Sequence, residues 1–382
     1  MRVGDTALGR DPGAVQMVQL LTPAGERVTP AATDEDYASY VTDVVDGDLR
    51  DMYRDMAIVR RIDAEATALQ RQGELGLWAS LLGQEAAQIG SGRALRPQDF
   101  AFPTYREHGV AWCRGVPPEA LLGLYRGVTL GGWDPLEHKF GLYTIVIGSQ
   151  TLHATGYAMG LQRDHAVGTG QPDRDAAVVA YLGDGATSQG DVSEALVFSA
   201  AYNAPVVFFC QNNQWAISEP IERQSRAPLY RRAAGFGLPG VRVDGNDALA
   251  VHAVTTEALD RARSGNGPTF IEAYTYRMGA HTTSDDPTKY RLDHELAQWR
   301  ERDPISRVRA YLEAAGAADA EFFDAVDAES DALATRLRRE CLALPEPSLA
   351  ETFDWVYATK SPELVEQLAR HEEYVASFEE AR

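Results

Sequence analysis

One segment, residues 176–220, constrains the fold more than any other part of the sequence. Residues 176–182 form a short apolar run, which is typical of a strand buried on both faces. A glycine-rich turn at 183–185 ends this run, and residues 206–210 form a second apolar run of strand length. Between the two runs, side chains recur at the helical spacing i, i+3, i+4 and i+7. These are Val192, Ala195, Leu196 and Ser199. The order strand, helix, strand predicts two adjacent parallel strands joined by a right-handed crossover.

Two oxygen-bearing side chains follow these strands. Asp184 lies directly after the first strand, and Asn213 lies shortly after the second, 29 positions later (213 − 184). Because neighbouring parallel strands end at the same edge of an open sheet, both side chains are expected at the edge that binds ligands. A carboxylate and an amide oxygen suit Mg²⁺, and the backbone N–H groups of residues 185–190, at the expected helix start, suit an anion. The segment therefore predicts a site for Mg²⁺ and a diphosphate.

Two other interpretations of the glycine-rich turn stay open on these residues alone. The tripeptide Gly183-Asp184-Gly185 is also an ordinary turn between a strand and a helix. A turn of this kind can also bind a dinucleotide, but the spacing here is not G-x-G-x-x-G. In a dinucleotide site, Asp184 would repel the pyrophosphate unless a cation lay between them.

The combination of GDGATSQGD with FFCQNNQWAIS is specific. It resembles the thiamin-diphosphate motif, and the sequence from about residue 18 to about residue 309 is similar to the α subunits of the E1 component of 2-oxo acid dehydrogenase complexes. The resemblance implies thiamin diphosphate and Mg²⁺ as cofactors, and oxidative decarboxylation of a 2-oxo acid with acyl transfer to the lipoyl group of an E2 acyltransferase. It also implies an E1 β subunit, in an α₂β₂ heterotetramer, because no convincing pyrimidine-binding half of the cofactor site is recognisable in this sequence.

The expected fold class is α/β, a thiamin-diphosphate-binding fold with a mostly parallel central sheet flanked by helices and a helical C-terminal region. We expect an N-terminal arm over residues 1–46, the diphosphate-binding domain over 47–292 and the helical region over 293–382. Helices are predicted at 48–72, 84–95, 117–126 and 149–163, and residues 18–28 are compatible with a short hairpin. A further strand–helix–strand piece spans 241–275, with Asp247 as the N-cap of its helix.

Composition excludes several classes of function. The formal net charge of −20 argues against nucleic acid and anionic membrane surfaces as partners, since both are polyanions. The sequence has no apolar run long enough for a membrane span and no signal-peptide core at its N-terminus. Its three cysteines lie far apart, which indicates neither a disulfide framework nor a zinc site. The expected location is the cytoplasm.

The aromatic loop 99–108 contains the neighbours Tyr105 and Arg106. From the residues alone, a surface ion pair explains the arginine, although a guanidinium also matches the geometry of phosphate oxygens. By resemblance, Tyr105 and Arg106 bind the diphosphate. The resemblance also places the Gly185 and Ala186 backbone beside the diphosphate, and it makes the Trp215 carbonyl oxygen a third protein ligand of Mg²⁺.

The loop 276–292 concentrates polar side chains after a predicted strand. A lone histidine in a loop is commonly a solvated surface residue. The resemblance instead makes His281 a catalytic and cofactor-binding residue that steers proton transfer and passage of the acyl group to lipoyl-lysine, and it makes Arg277 a further diphosphate contact. Thr282 stands where animal relatives carry a phosphorylated serine, so regulation by that route is not expected.

The loop 131–148 is expected to enter the site. By resemblance, Val146 and Ile147 lie near the aminopyrimidine ring and the substrate pocket. Ser149 and Gln150 align with positions that hold a potassium ion in some relatives, although a hydroxyl and an amide at a helix start are also ordinary caps.

The substrate is the least constrained part of the prediction. Because Val146 and Ile147 would form an apolar pocket, branched-chain 2-oxo acids are favoured over pyruvate, with an acetoin dehydrogenase α subunit as a third choice. Gln211 stands where animal branched-chain enzymes have arginine, which removes one expected diphosphate contact, and Trp215 replaces a tyrosine. A nicotinamide-dependent oxidoreductase is the alternative of a different class, and the missing G-x-G-x-x-G disfavours it.

Overall fold

The computed structural model describes residues 17–28, 35–129 and 131–379. Its centre is a five-stranded sheet in the order β1-β2-β3-β7-β6, and every neighbouring pair is parallel. The strands of the described residues are β1 Phe100–Phe102, β2 Val178–Gly183, β3 Val206–Asn212, β4 Trp215–Ala216, β5 Glu219–Pro220, β6 Gly240–Asp244 and β7 Thr269–Tyr274, where β4 and β5 form a separate antiparallel pair. The predicted α/β class with a mostly parallel sheet is confirmed.

Helices surround the sheet and continue beyond it. In the described ranges they are α1 Glu35–Ala38, α2 Asp46–Arg71, α3 Glu85–Arg93, α4 His108–Cys113, α5 Pro118–Arg126, α6 Pro135–His138, α7 Ser149–Arg163, α8 Gly190–Ala201, α9 Ile221–Gln224, α10 Leu229–Phe236, α11 Ala248–Arg263, α12 Asp293–Arg300, α13 Pro304–Ala314, α14 Ala320–Ala343, α15 Leu349–Asp354 and α16 Pro362–Glu379. Short 3₁₀ turns occupy Ser39–Val41, Asp184–Ser188 and Pro287–Lys289. None of the helices in this part of the chain is long and apolar enough to cross a membrane.

The side chains of the central strands alternate between two apolar layers, as the pleat of a strand requires. Val179 and Tyr181 of β2 pack into the cluster that contains α2, α3 and α11. Val178 and Ala180 pack into the opposite cluster, which contains α7, α8 and α10. Both faces of the sheet are therefore covered, which explains why β2 and β3 are apolar throughout instead of alternating.

The predicted crossover from β2 to β3 is confirmed, because the two strands are parallel neighbours with Gly183 opposite Gln211. The helix start expected within residues 185–190 falls at the end of that range. Asp184–Ser188 form a 3₁₀ turn, in which the Thr187 hydroxyl donates to the Asp184 carbonyl oxygen at 2.7 Å. Gln189 then returns to extended geometry, so α8 begins only at Gly190. The N–H groups of residues 185–189 therefore belong to a turn and not to the first turn of an α-helix.

Part of the N-terminal arm packs on the domain. Val18 pairs with Val243 of β6, and Leu21 pairs with Arg27, which confirms a short hairpin. The arm's residues 1–16 and 29–34 lie outside the described residues. Asp247 is the predicted N-cap of α11, with its Oδ1 accepting from the N–H groups of Leu249 and Ala250.

The C-terminal region contacts the first long helix, α2. Arg338 of α14 donates to Glu65 of α2 at 2.6 Å, and Leu333 and Leu337 share an apolar cluster with α2. The three-part division of the chain at residues 46 and 292 stays a prediction.

Asp247 offers a test of how strongly the arm is held. Its Oδ2 also accepts from Leu20 N at 2.7 Å and Leu21 N at 2.6 Å. Asp247→Ala leaves these buried N–H groups without an acceptor, so we expect the free energy of unfolding to fall by about 2–4 kcal/mol. Urea unfolding followed by circular dichroism measures this. The matched control is Asp319→Ala, because Asp319 caps α14 through the single N–H of Phe322 and should cost about 1 kcal/mol. Equal losses in the two variants would contradict the role of Asp247 in holding the arm.

Candidate functional site

A cavity of about 460 Å³ lies at the carboxyl ends of β2 and β3. This is the edge at which open α/β sheets bind ligands. Its wall combines apolar side chains with a concentration of polar groups. The polar and backbone contributors include Gln84, Tyr105, Arg106, Glu107, Gln150, Asp184, Gly185, Ala186, Gln211, Asn213, Trp215, Arg277 and His281.

Asp184 is a buried carboxylate of this wall at the end of β2. Only 1% of the residue is exposed, and its hydrogen-bond partners are neutral donors, namely Gln224 Nε2 at 3.2 Å and the backbone N–H groups of Asp184 and Asn213. Burial raises the pKa of the Asp184 carboxyl to about 6, and these donors together with the more distant Arg277 only partly oppose that effect. A buried carboxylate held this way is suited to bind a cation.

Asn213 lies beside Asp184, to whose carboxylate its backbone N–H donates. Its Nδ2 donates to Gln84 Oε1 at 3.1 Å, and its Oδ1 accepts from Trp215 N at 3.2 Å. Because an amide oxygen has two lone pairs, Oδ1 can still accept a second partner. The structure thus brings the two strand-end oxygens to one cavity.

Arg277 holds the segment that follows Asn213. Its Nη1 donates to the Trp215 carbonyl oxygen at 3.0 Å, and its Nη2 donates to the Ile217 carbonyl oxygen at 2.7 Å and to the Tyr290 hydroxyl at 2.9 Å. Burial lowers the pKa of Arg277 to about 10, and nearby Arg106 contributes to this. The Trp215 carbonyl keeps one lone pair for a further partner.

Arg106 is buried in the cavity wall, with 6% of the residue exposed, so the surface ion-pair interpretation is wrong. Its guanidinium donates to the carbonyl oxygens of Ser80 and His281. Its neighbour Tyr105 also lines the cavity, and the Tyr105 carbonyl accepts from the Tyr125 hydroxyl. The loop that presents Tyr105 and Arg106 is therefore held on several sides before any ligand arrives.

His281 lies between two guanidinium groups. Its Nδ1 is 3.3 Å from Arg106 Nη2 and 3.3 Å from Arg277 Nη1. Since both neighbours can only donate, Nδ1 accepts and the ring proton resides on Nε2. Burial and the two arginines lower the pKa of His281 to about 3, which keeps the imidazole neutral. The interpretation of His281 as a solvated surface residue is therefore wrong.

The loop before α7 is placed differently from the expectation. Ile147 lines the cavity, but Val146 is 70% exposed and does not. Ile145 contributes to the wall instead. At the start of α7, Ser149 Oγ donates to the Val146 carbonyl oxygen at 2.9 Å, and Gln150 Nε2 donates to the Tyr181 carbonyl oxygen at 2.8 Å.

Gly185 and Ala186 contribute their backbone to the wall, as expected. A Cβ at Gly185 would come within 2.7 Å of the Ala216 Cβ, so only glycine lets the two segments approach this closely.

Sequence reasoning missed a buried network behind the arginine loop. The Glu107 carboxylate accepts from Thr104 N and Thr104 Oγ1, both at 2.6 Å, and from Gln211 Nε2 at 2.7 Å. Gln88 Nε2 extends this network by donating to Gln211 Oε1 at 3.2 Å. Gln211, expected only as a lost diphosphate contact, thus links the loop to the end of β3. The signal in the sequence was the acidic residue directly after Tyr105-Arg106.

The donor set fits an anion bound together with a hard cation. Asp184 and Asn213 offer oxygens, while Arg277 Nε and Gln84 Nε2 are buried donors that lack a partner among the described residues. Nowhere in those residues do three or more His, Cys, Asp or Glu side chains cluster in a metal-binding arrangement. The site therefore suits a cation that shares its coordination with an anionic ligand, as Mg²⁺ does.

Asp184 provides a direct test of the electrostatics of the site. Because burial raises the folded-state pKa above the ordinary 3.8 to about 6, ionised Asp184 opposes folding, and this effect grows as the pH rises from about 4 to about 6. Asp184→Asn should therefore raise the free energy of unfolding of the metal-free chain at pH 7 by about 2–3 kcal/mol. The difference should vanish near pH 4. Denaturant unfolding at both pH values measures it, and a less stable variant at pH 7 would contradict the account.

Comparison with known proteins identifies the family of this chain. The sequence model of the dehydrogenase E1 component family matches residues 53–340. The chain is 45% identical over 354 residues to the 3-methyl-2-oxobutanoate dehydrogenase subunit alpha of Mycobacterium tuberculosis (strain ATCC 25618 / H37Rv), with 92% of each chain covered. It is 39% identical over 331 residues to the pyruvate dehydrogenase E1 component subunit alpha of Acholeplasma laidlawii, with 85% of this chain and 92% of the relative covered.

A third relative is the pyruvate dehydrogenase E1 component subunit alpha of Bacillus subtilis (strain 168), which is 40% identical over 300 residues, or 78% of this chain and 76% of the relative. The family match includes every residue of the cavity wall named above. The chain therefore belongs to the dehydrogenase E1 component family, among the α subunits of the 2-oxo acid dehydrogenases.

Proposed function

We propose that this chain is the α subunit of a thiamin-diphosphate-dependent E1 enzyme, which decarboxylates a 2-oxo acid oxidatively and passes the acyl group to the lipoyl group of an E2 acyltransferase. The observation that carries the proposal is the placement of Asp184 and Asn213 on one cavity at the ends of adjacent strands. Family membership supports the same reaction.

The cofactor site is proposed as follows. The Asp184 carboxylate, Asn213 Oδ1 and the Trp215 carbonyl oxygen would hold Mg²⁺, and the metal would share its remaining positions with the diphosphate. Five further residues would contact the diphosphate, three through their side chains and two through the backbone of the turn. They are Tyr105, Arg106 and Arg277, and Gly185 and Ala186. When bound, thiamin diphosphate supplies the nucleophilic carbon and the electron sink that decarboxylation of a 2-oxo acid requires.

The two arginines at the site would both serve as fixed positive charges for the diphosphate. Arg106 and Arg277 each donate to two backbone carbonyl oxygens, so their charges are fixed in place before the diphosphate arrives. Fixed charges of this kind need no reorganisation when the anion binds, which favours affinity.

His281 is proposed as the catalytic side chain of this subunit. Its Nδ1 faces two cations, so its Nε2–H can donate a hydrogen bond towards the reacting group while Nδ1 remains an acceptor. We infer that this hydrogen bond orients the reacting group and steers passage of the acyl group to the lipoyl group, and that the neutral imidazole is not itself the proton source.

The proposed partners are an E1 β subunit, in an α₂β₂ heterotetramer, and the E2 acyltransferase. The cavity is bordered by the loop at 145–147, in which Ile145 is 66% exposed and Val146 is 70% exposed. An exposed aliphatic loop beside an open cavity is typical of a surface that another subunit covers, so it supports a second subunit completing the pocket.

The proposed substrates are branched-chain 2-oxo acids, with pyruvate as the alternative and acetoin-type chemistry as a weaker one. The relative with 45% identity is a 3-methyl-2-oxobutanoate dehydrogenase subunit, and Ile145 and Ile147 give the cavity an aliphatic wall. Discrimination by one or two methylenes in such a pocket amounts to about 1–3 kcal/mol, so both acids should react at different rates.

Two finer proposals accompany this function. A potassium ion near Ser149 and Gln150 is supported by Gln150 Oε1, a buried acceptor for which the described residues provide no partner. We also propose that the enzyme acts in the cytoplasm.

The substrate assignment is tested with the chain assembled with its β subunit, in the presence of thiamin diphosphate and Mg²⁺. We expect kcat/KM for 3-methyl-2-oxobutanoate to exceed that for pyruvate by about 10-fold or more, because the aliphatic wall favours the larger side chain. The measurement is artificial-acceptor reduction with each acid. A preference for pyruvate would support the alternative substrate.

The class of enzyme is tested by thermal shift on the same assembly. Thiamin diphosphate with Mg²⁺ should raise the melting temperature, and NAD, the matched control, should not. A shift with NAD alone would contradict the proposed function.

A further inference from the structure

We propose that the side chain of Gln84 has two tasks in the site. Its Oε1 orients the metal-binding side-chain amide of Asn213, and its Nε2–H donates to an oxygen of the bound diphosphate. The proposal rests on the proposed function and extends it to a residue that the sequence analysis did not select.

The backbone of Gln84 is held in a tight turn before α3. Gly83 has a φ of +94°, a conformation that favours glycine, and a Cβ at this position would lie 2.4 Å from the Tyr276 carbonyl oxygen. The Thr275 hydroxyl donates to the Gly83 carbonyl oxygen at 2.9 Å. The turn is thus packed directly against the chain segment that leads into Arg277. This packing fixes the position of the Gln84 backbone.

The orientation of both amides follows from a backbone donor. The Trp215 N–H can only donate, so the atom of Asn213 that faces it at 3.2 Å is the oxygen Oδ1. The other end of the Asn213 amide, Nδ2, therefore faces Gln84 at 3.1 Å, and the Gln84 atom that accepts from it is the oxygen Oε1. This chain of donors leaves Gln84 Nε2 on the side away from Asn213.

Gln84 Nε2 is a buried donor without a partner in the described part of the chain, although only 1% of the residue is exposed and it lines the cavity. Arg277 Nε is a second donor in the same condition on the same wall. Buried donors are normally paired. Among the described residues with such unpaired donors, Gln84 and Arg277 are the ones that line this cavity, which fits a ligand that accepts from both.

The ligand group that fits is a phosphate oxygen. Gln84 is hydrogen-bonded to Asn213, which we propose as a ligand of Mg²⁺. A ligand that accepts from Gln84 and also binds the metal has to offer several acceptor oxygens close together. A diphosphate does so. A residue that orients a metal ligand commonly changes metal affinity by 10–100-fold when it is replaced.

Two substitutions separate the two tasks. Gln84→Met keeps the length of the side chain but removes the acceptor for Asn213 and the donor for the diphosphate. Gln84→Glu keeps an oxygen facing Asn213 Nδ2 and replaces the donor by a negative oxygen. Gln98→Met is the matched control, because Gln98 Nε2 bonds only backbone carbonyls of Pro172 and Asp175 away from the cavity.

The experiment uses the full chain assembled with its β subunit, with Mn²⁺ in place of Mg²⁺. Free Mn²⁺ is followed by electron paramagnetic resonance, and thiamin diphosphate and inorganic diphosphate are titrated by calorimetry. We expect Gln84→Met to weaken both Mn²⁺ and thiamin diphosphate binding by about 10–100-fold. Gln84→Glu should weaken thiamin diphosphate and inorganic diphosphate by at least about 10-fold while Mn²⁺ affinity stays within about twofold, since the orienting oxygen is retained. The control should match the wild type.

Binding of both diphosphates within about twofold of the wild type in the two Gln84 variants would overturn the proposal. If Gln84→Met does not fold, the Gln84→Glu result alone decides. A wild-type assembly that fails to bind thiamin diphosphate with the metal would overturn the proposed function, which is a different outcome from normal wild-type binding with unaffected variants.

Discussion

The burial of the Asp184 carboxylate beside Asn213 is the constraint on which the rest of the site depends. The register of β2 and β3 sets Gly183 opposite Gln211, so the residues that follow both strands meet at one edge of the sheet. A buried carboxylate with neutral donors is costly in the absence of a cation, and its raised pKa is the measure of that cost. The fold tolerates this cost because two apolar layers cover both faces of the sheet.

Around this carboxylate, the guanidinium groups of Arg106 and Arg277 are held by hydrogen bonds to backbone carbonyl oxygens and not by ion pairs with acidic side chains. Arg106 and Arg277 donate to carbonyl oxygens, which holds their geometry while leaving their charge available to an anion. His281 lies between them, and burial together with both guanidinium groups keeps its imidazole neutral by lowering its pKa. Behind the arginine loop, Glu107 is bonded to Thr104 and Gln211, so the loop is tied to the same strand that carries Asn213. Preorganisation of this kind is what binding of a highly charged cofactor requires.

The sequence was sufficient for the parts that depend on local pattern. The two apolar runs predicted β2 and β3, their order predicted the parallel crossover, and Asp247 was recognisable as a cap. It was insufficient where contacts join distant segments. Gln84 could not be selected because the preceding residue, Gly83, is held by Thr275, which lies 192 positions after Gly83. Val146 was expected in the cavity wall, but its carbonyl accepts from Ser149 Oγ at the start of α7, and its side chain points outward while Ile145 and Ile147 line the cavity. The helix start was expected within residues 185–190; a 3₁₀ turn that the Thr187 hydroxyl closes occupies Asp184–Ser188, and the helix begins only at Gly190.

The central claim is that Asp184 and Asn213 together hold the divalent ion that binds the diphosphate. Anomalous diffraction from crystals of the assembled enzyme grown with Mn²⁺ and thiamin diphosphate tests it most directly. The account predicts one Mn²⁺ about 2.1 Å from an Asp184 carboxylate oxygen and from Asn213 Oδ1, with phosphate oxygens completing its coordination. A diphosphate bound in the cavity with the Mn²⁺ peak away from both side chains would contradict it.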